Sequence, residues 1–478
     1  MSTEFSEGFD ALLADAMSGK LTRRQMIKRG AALGLSAPLA IALLRARGVA
    51  AQTAGNVAPG ATIVVPQGLR TDLKGKKITW IGSDAGNPDR PWELAAIKKF
   101  TDATGIEVTD DPGPKTTDDR LTKYLQLFAA HSPDLDVAQI DVIDIGVVAP
   151  YAVDLSQNSN LKALAATQLQ TIVQNNTFDG KLIGQPWFTD AGILYYRTDL
   201  LQKYELQPPT TWDELTTAAK KIVAGEKASN PNIQGFVFQG SAYEGLTCDA
   251  LEWQVSNGGG TIIDDKGNVT VNNPQVIAAM ELAHSWVGGI APTSVTTFIE
   301  ADSANVWVGG NSAFMRNWPY AYAVSEDKTQ SKIPGKLDVS VLPMGSGPNA
   351  RHADCLGGWQ LMVSKFSKEQ EAAEEFVRYL CSPELQKSYS IERSHLPTIA
   401  SIYDDPQAIA ANPYYPKLKP IFSGGAVARP STVSGRLYPQ VSAAYYTAVN
   451  KVLTGQQQAA SAMKDLEGTL KGIMEQAS

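Results

Sequence analysis

"KITWIGSDAGNPDRPWELAAIKKFTDATGIEVTD" (Lys77–Asp110) is the stretch whose reading decides the fold. It opens on a short β-rich run, "KITWIG". "ELAAIKKFTDATG" follows with apolar residues at helical spacing and a glycine stop, and "IEVTD" returns to strand composition. The alternation continues downstream. "RLTKYLQLFAAH" reads as a helix and "DVAQIDVI" as a strand, and "GILYYR", "GFVFQG", "DVSVLP" and "LMVS" are later strands. The helices between them carry start signals. Thr211 and Glu214 predict a capping box, Ser367 and Gln370 a second, and Ser382 caps a helix with Pro383 in its first turn. After Leu385 the pattern is mostly helical. Strands alternating with helices predict an α/β fold of mostly parallel sheets. A chain of 478 residues exceeds one sheet layer, so two lobes are expected.

Composition narrows the function. The chain is 43% hydrophobic and 19% charged, with a formal net charge of -7. That balance is globular and argues against nucleic acid as a partner. Cys248, Cys355 and Cys381 are too few and too scattered for a metal cluster or a disulfide scaffold, although one pair has the option of bridging. His131, His284, His352 and His395 lie far apart, without metal-ligand spacing. No cofactor and no metal are expected, and the chain is expected to act as a monomer.

The front of the chain reads as an export signal. Thr22-Arg23-Arg24-Gln25-Met26-Ile27-Lys28 resembles the twin-arginine motif. A moderately apolar run from Gly30 to Leu44 follows, too short to span a bilayer comfortably and interrupted by Pro38. Val49-Ala50-Ala51 offers small residues for cleavage near Ala51. No cysteine ends the run, which excludes a lipoprotein anchor. The expectation is residues 1–51 as signal, 52–72 as a flexible leader, and export of an already folded protein to the periplasm or another extracytoplasmic space.

Two motifs are decoys. "GSGPNA" (Gly345–Ala350) fits a dinucleotide fingerprint by spelling, but Pro348 interrupts it and no helix follows to hold a pyrophosphate. "IIDDKGNVTV" lacks the later spacing of a calcium loop and reads as a hairpin around Asp265-Lys266-Gly267-Asn268. Three aromatic–polar clusters carry more. "PWFTDAGILYYR" sets Trp187, Phe188 and Asp190 before a strand, "SAFMRNWPYAY" gathers Trp318, Tyr320 and Tyr322, and "LGGWQLMVS" puts Trp359 after two glycines. A single tryptophan is more often core than platform. Three such clusters at element edges suit a sugar, whose C–H faces lie on rings while its hydroxyls seek amide and ionised groups.

From Lys77 to the C-terminus the chain resembles the family-1 extracellular solute-binding proteins of sugar ABC importers, and within them the trehalose/maltose-binding branch. "FDGKLIGQPWFTDAGILYYRTDLLQKYELQPPTTWDEL", "YEGLTCDALEWQVSNGG", "SAFMRNWPYAY", "LGGWQLMVSKFS" and "IYDDP" carry the resemblance in order. It implies a periplasmic-binding-protein fold of type II-like form, with hinge strands and the ligand between the lobes. The lobes would be discontinuous: 73–186 plus 343–385 for the N-terminal lobe, 187–342 plus 386–478 for the C-terminal lobe. The implied ligand contacts are Thr117, Asp118, Arg120 and Asp141, then Phe188 and Asp190, with Tyr243 and Glu244 from the second lobe. Trp318 and Tyr320 would stack, Gly357, Gly358 and Trp359 form a wall, and Arg429 supply a late fork. Pro319 would start a helix with Asn317 or Trp318 at its cap, and Arg316 would be an ion-paired structural residue. Near the first strand the family carries a glutamate before an aromatic pair. Here the text is "GSDAGNPDRPW", where Asn87, Asp89 and Trp92 are the available residues. The implied activity is capture of a disaccharide such as trehalose or maltose by hinge closure, for delivery to ABC permease subunits. The rivals are a polyol, oligosaccharide or glycerophosphodiester receptor, and a glycoside hydrolase using Asp141 and Asp190.

Overall fold

Two sheets organise the chain. The computed structural model describes residues 58–418, 421 and 425–477, so the export signal lies outside the described residues. β1 (Lys77–Gly82), α1 (Arg90–Thr104), β2 (Glu107–Pro112), α2 (Thr117–Ala129) and β3 (Val137–Asp141) keep the predicted alternation. β1 lies parallel to both β2 and β3. β4 (Gln185–Ala191) joins the same sheet, and after Gly192 the chain enters a second sheet as β5 (Ile193–Arg197). There it forms α3 (Trp212–Glu226), β6 (Gln234–Val237), α4 (Glu244–Ser256), α5 (Pro274–Trp286) and α6 (Glu300–Val308). β7 (Ser312–Asn317), α7 (Tyr320–Glu326) and β8 (Leu337–Ser340) complete this pass. The chain returns to the first sheet with β9 (Asp354–Val363), α8 (Gln370–Leu380), α9 (Pro383–Arg393) and β10 (Leu396–Pro397). β11 (Ala426–Val427) pairs with the start of β9, and α10 (Tyr438–Leu453) and α11 (Ala459–Met474) end the fold on the second lobe.

The first sheet has the order β10-β4-β9-β3-β1-β2, and the second β8-β5-β7-β6. Both are mixed. β9 is antiparallel to β3 and β4, β10 to β4, and β5 to β7 and β8. The expectation of mostly parallel sheets therefore fails where the chain returns from the other lobe, because a returning strand is not bound by the crossover rule of a βαβ unit. Trp80, Trp187 and Phe376 fill the first lobe, and Trp212, Trp253 and Trp286 the second. Each such ring contributes about 1.5–3 kcal/mol by leaving water.

Several boundaries move. β4 stays in the first sheet through Ala191, so the first passage falls at Gly192 and not near Pro186. The strand is held on both sides, by β9 and β10, and cannot be divided. α9 belongs to the first lobe, since Trp92 Nε1 donates to Ser388 Oγ at 2.9 Å, so the boundary at 385 is too early. The leader expected through residue 72 is pinned from Gly60. Gly60 N and Thr62 N donate to Glu392 at 2.8 and 2.9 Å, Ile63 is buried, and Arg70 pairs with Glu371. The capping box at Thr211 and Glu214 is present, as is the Ser382 cap. The one expected at Ser367 is not: α8 starts at Gln370, and the Ser367 hydroxyl accepts from Glu369 N instead. Cys248, Cys355 and Cys381 are all free and buried. "GSGPNA" is loop, and Ile263 and Val269 make a single antiparallel bridge around the hairpin turn.

Candidate ligand-binding cleft

The cleft is built where strand ends of the first sheet meet helix starts of the second lobe. Asp141 closes β3. Its backbone N–H donates to Asp144 Oδ2 at 2.9 Å, and its Oδ1 accepts from Ile143 N–H at 3.2 Å and from Arg429 Nη2 at 3.0 Å. Thr117, at the start of α2, reaches Asp141 Oδ2 only at 3.5 Å. Asp118 spans the cleft: its Oδ2 accepts from Glu244 N–H, on α4, at 3.2 Å. Arg429 also spans it, with Nη1 on Glu244 Oε1 at 2.8 Å. Tyr438 and Ser442, four residues apart on one face of α10, donate to the same carboxylate. Burial pushes Glu244 up to about 7, and Arg429 draws it back. Burial likewise raises Asp118.

The ring wall comes from both lobes. Gly357, in β9, lies opposite Asp190 in β4, and Trp359 lies opposite both Phe188 and Asp141. Trp318 crosses from the second lobe onto this row: a Cβ on Gly357 would sit 3.1 Å from both the Trp318 ring and Asp190 Cβ. Gly358 has φ 130°, and a Cβ there would meet the Phe188 carbonyl at 2.8 Å, so a side chain is excluded. Asp190 is buried, with Oδ1 unpartnered. Burial, then the charges of Asp89 and Asp141, hold its pKa well above the usual carboxylate range. Trp318 is held from behind by the Arg316 guanidinium, 4.0 Å from its ring centroid, and Nε1 reaches Glu300 Oε1 at 3.4 Å. Tyr195 OH donates to the Trp318 carbonyl at 2.8 Å. Pro319 stands at the helix cap, and Asn317 Oδ1 accepts from Trp318 N–H. Tyr320 and Tyr243 lie near Glu300; burial, then that charge, raise both phenols.

The structure thus gathers Thr117, Asp118, Asp141, Asp190, Tyr243, Glu244, Trp318, Tyr320, Gly357, Trp359 and Arg429 about one cleft. Others are spent elsewhere. Arg120 donates to the carbonyls of Gly82 and Pro114 and lies 5.0 Å from the Trp359 ring, so it supports the wall from behind. Phe188 is buried, packed on Trp187, Tyr389 and His395. Trp92 is core, stacked on Tyr389 at 4.2 Å, and Asn87 Oδ1 accepts from Asp89 N–H within its own loop. Asp89 is buried with both oxygens taken, by Arg393 Nε at 2.8 Å and His395 Nε2 at 2.7 Å. Burial alone would raise Asp89, but those two partners hold it below its usual range. Sequence reasoning missed Glu300, Tyr438, Ser442, Asp144, Arg393 and His395. The i, i+4 pair of Tyr438 and Ser442 was the one signal available for these. Among the described residues no group of His, Cys, Asp or Glu could hold a metal ion, and no helix is long and apolar enough to cross a membrane.

A cleft between two lobes, joined by several chain passages and lined with rings and buried carboxylates, defines a receptor for a small solute. The chain matches the bacterial extracellular solute-binding proteins over residues 85–387, and it belongs to that family. A relative from Deinococcus radiodurans, described as a probable ABC transporter-binding protein, is 49% identical over 381 residues, covering 79% of this chain and 90% of the relative. The solved structure of maltose-bound T. maritima MalE3 superposes with a TM-score of 0.78 at 35% identity, covering 84% of this chain and 100% of that one. A ribitol complex of an ABC transporter solute-binding protein from Agrobacterium radiobacter shares the fold at 22% identity, with a TM-score of 0.74 over 84% of this chain and 99% of that chain. The family consists of binding proteins for transport, not enzymes.

Proposed function

We propose that the chain captures a disaccharide-sized carbohydrate by closing its lobes and hands it to the permease subunits of an ABC transporter. The observation that carries this reading is Trp318, which brings a partly exposed ring from the second lobe against Gly357 of the first, the residue paired with Asp190. A ring facing an unpartnered buried carboxylate oxygen suits a sugar, with a C–H face for one and a hydroxyl for the other. The maltose named for the T. maritima protein and the maltodextrin named for a Bacillus subtilis relative, 24% identical over 293 residues, favour an α-glucoside or a similar sugar. Contacts from both lobes make the closed form the one that ligand stabilises, and the closed form is what a permease would read. Arg23-Arg24 and the apolar run support twin-arginine export to the extracytoplasmic space, with cleavage near Ala51 and no lipid anchor. The protein works there as a monomer, with no nucleic-acid partner.

Titration calorimetry on the chain from Gln52 with trehalose, maltose, sucrose, glucose and ribitol tests this. One ligand should bind at micromolar affinity, worth roughly 8 kcal/mol, and be recovered unchanged. No heat from any of them would sink the sugar reading. One observation keeps a hydrolase in view: Asp190 has a raised pKa while Asp141 is ion-paired, the division of labour a glycosidase uses. Product from any disaccharide would establish it.

A further inference from the structure

One wall of the cleft draws its residues from distant parts of the chain. β10 runs antiparallel to β4, with Leu396 opposite Thr189 and Pro397 opposite Phe188. One step further, the same register sets His395 opposite Asp190, which already faces Gly357 on its other side. That places His395, in the turn that leads into β10, beside Asp190 and Gly357, with the Trp318 ring laid against Gly357. His395 is buried, packed 4.0 Å from Phe188 and 4.3 Å from Tyr389 by ring centroids. Its Nε2 lies 2.7 Å from Asp89 Oδ2, and its other ring nitrogen, Nδ1, is buried without a partner. Arg393 Nε donates to Asp89 Oδ1, and its buried Nη2 has no partner either. Asp190 Oδ1 is the third such atom. Buried polar atoms without partners are rare in folded proteins, and three of them, two on the groups that hold Asp89 and one on Asp190, point to a ligand.

We infer that Arg393 and His395, held by Asp89, are specificity-determining residues that read hydroxyl groups of the bound solute beside Asp190. This rests on the reading of the cleft as a carbohydrate site. A hydroxyl both donates and accepts, so adjacent hydroxyls can satisfy the Arg393 Nη2 donor together with His395 Nδ1 and Asp190 Oδ1, whichever role each of those two takes. A phosphodiester only accepts and would face the Asp89 and Asp190 carboxyls, so the wall selects neutral polyhydroxylated ligands. Asp89 is a positioning residue: it fixes the ring orientation and the guanidinium without a free oxygen of its own.

The experiment is calorimetry over trehalose, maltose, sucrose, glucose and ribitol on the wild type, Arg393→Lys and His395→Gln, with thermal unfolding of each. Arg393→Lys keeps a cation for Asp89 but loses the second donor. It should unfold within a few degrees of wild type, bind the best ligand at least tenfold more weakly, and change the order of preference across the panel. His395→Gln should do the same through loss of the ring nitrogen Nδ1 from its place in the wall. Wild type binding one of the sugars while both variants keep its affinity and order would overturn this inference and leave the carbohydrate reading intact. Equal weakening for every sugar, matched by a large fall in unfolding temperature, would also overturn it. Wild type binding none of the panel sinks the carbohydrate reading and this inference together.

Discussion

Two buried arginines do opposite work. Arg316 takes all its partners from the second lobe: Asp249 Oδ1 at 2.9 Å, Glu252 Oε2 at 2.9 Å and Gln239 Oε1 at 3.0 Å. Arg429 takes one carboxylate from each lobe, Asp141 and Glu244, and its buried Nε is unpartnered. Both are desolvated, both sit among carboxylates, and neither gains stability cheaply, since a buried pair rarely outweighs its dehydration. What differs is where the partners live. An arginine satisfied within one lobe holds that lobe together, while one that joins two lobes holds a conformation.

The largest expected effect breaks the two apart. Arg316→Met strands Asp249 and Glu252 in a dry core and should cost about 3–5 kcal/mol of unfolding free energy. Gly192→Ala should act in the same direction, because a methyl there meets the Glu252 carboxylate and the Arg316 guanidinium. Arg429→Met should cost less than half as much, since opening returns Asp141 and Glu244 to water. Its signature is a larger radius of gyration by small-angle scattering. Equal losses for the two arginines, with no change in radius, would refute the distinction.

Next in size is a pH effect confined to the cleft. Glu244 is raised from its ordinary value to about 7 by burial. Between pH 4.5 and 7 the folded protein therefore holds a proton that the unfolded chain has released. Stability is present below that window and falls as pH rises through it. A shift of this size is worth about 3 kcal/mol as an upper figure. Buried Glu93, raised to about 7 as well, adds a second slope of the same sign. Glu244→Gln should remove only its own share, seen as a shallower fall in denaturant midpoint from pH 5 to pH 7.5. An unchanged slope would mean the carboxyl is ionised in the closed form.

The same contrast explains what the sequence could reveal. Strand and helix periodicity from Lys77 to Asp141, the Thr211 capping box and the pairing of Arg316 are legible because each depends on neighbours in sequence or on burial alone. The rings of Trp318 and Trp359 are legible because glycine and proline beside an aromatic mark an edge. Direction and partnership are not. β3 and β9 are antiparallel although their residues lie more than two hundred positions apart, and no local signal carries that. Arg120 looked like a ligand contact at a polar helix start, but the carbonyls of Gly82 and Pro114 lie within its reach and take its donors. Asp89 was a candidate on its own, yet its role is set by Arg393 and His395, which only the α9–β10 turn delivers.

Trp318 touches both regimes, with Arg316 behind its ring and the cleft in front. Trp318→Ala should weaken ligand binding by about 2 kcal/mol, roughly thirtyfold. The Arg316 ion pairs do not depend on that ring, so calorimetric affinity should fall while the unfolding temperature moves little. A fall in stability as large as the fall in affinity would place the ring in the core and not in the site.

The smallest effect is the sharpest test of closure. A methyl on Gly357 would lie 3.1 Å from Asp190 Cβ and 3.1 Å from the Trp318 ring. Asp190 shares a sheet with Gly357 and meets it in every conformation, so that crowding costs the open and closed forms alike. Trp318 comes from the other lobe and meets the methyl only on closing. Overpacking of this kind costs about 1 kcal/mol at the low end, and the part due to Trp318 is paid in affinity alone. Gly357→Ala should therefore bind several-fold more weakly, and Trp318→Ala in the same background should abolish that extra penalty. A double-mutant cycle reads the coupling directly. Strict additivity would show that the two lobes do not meet here in the liganded state, and that the contact between Trp318 and Gly357 is not part of the closed receptor.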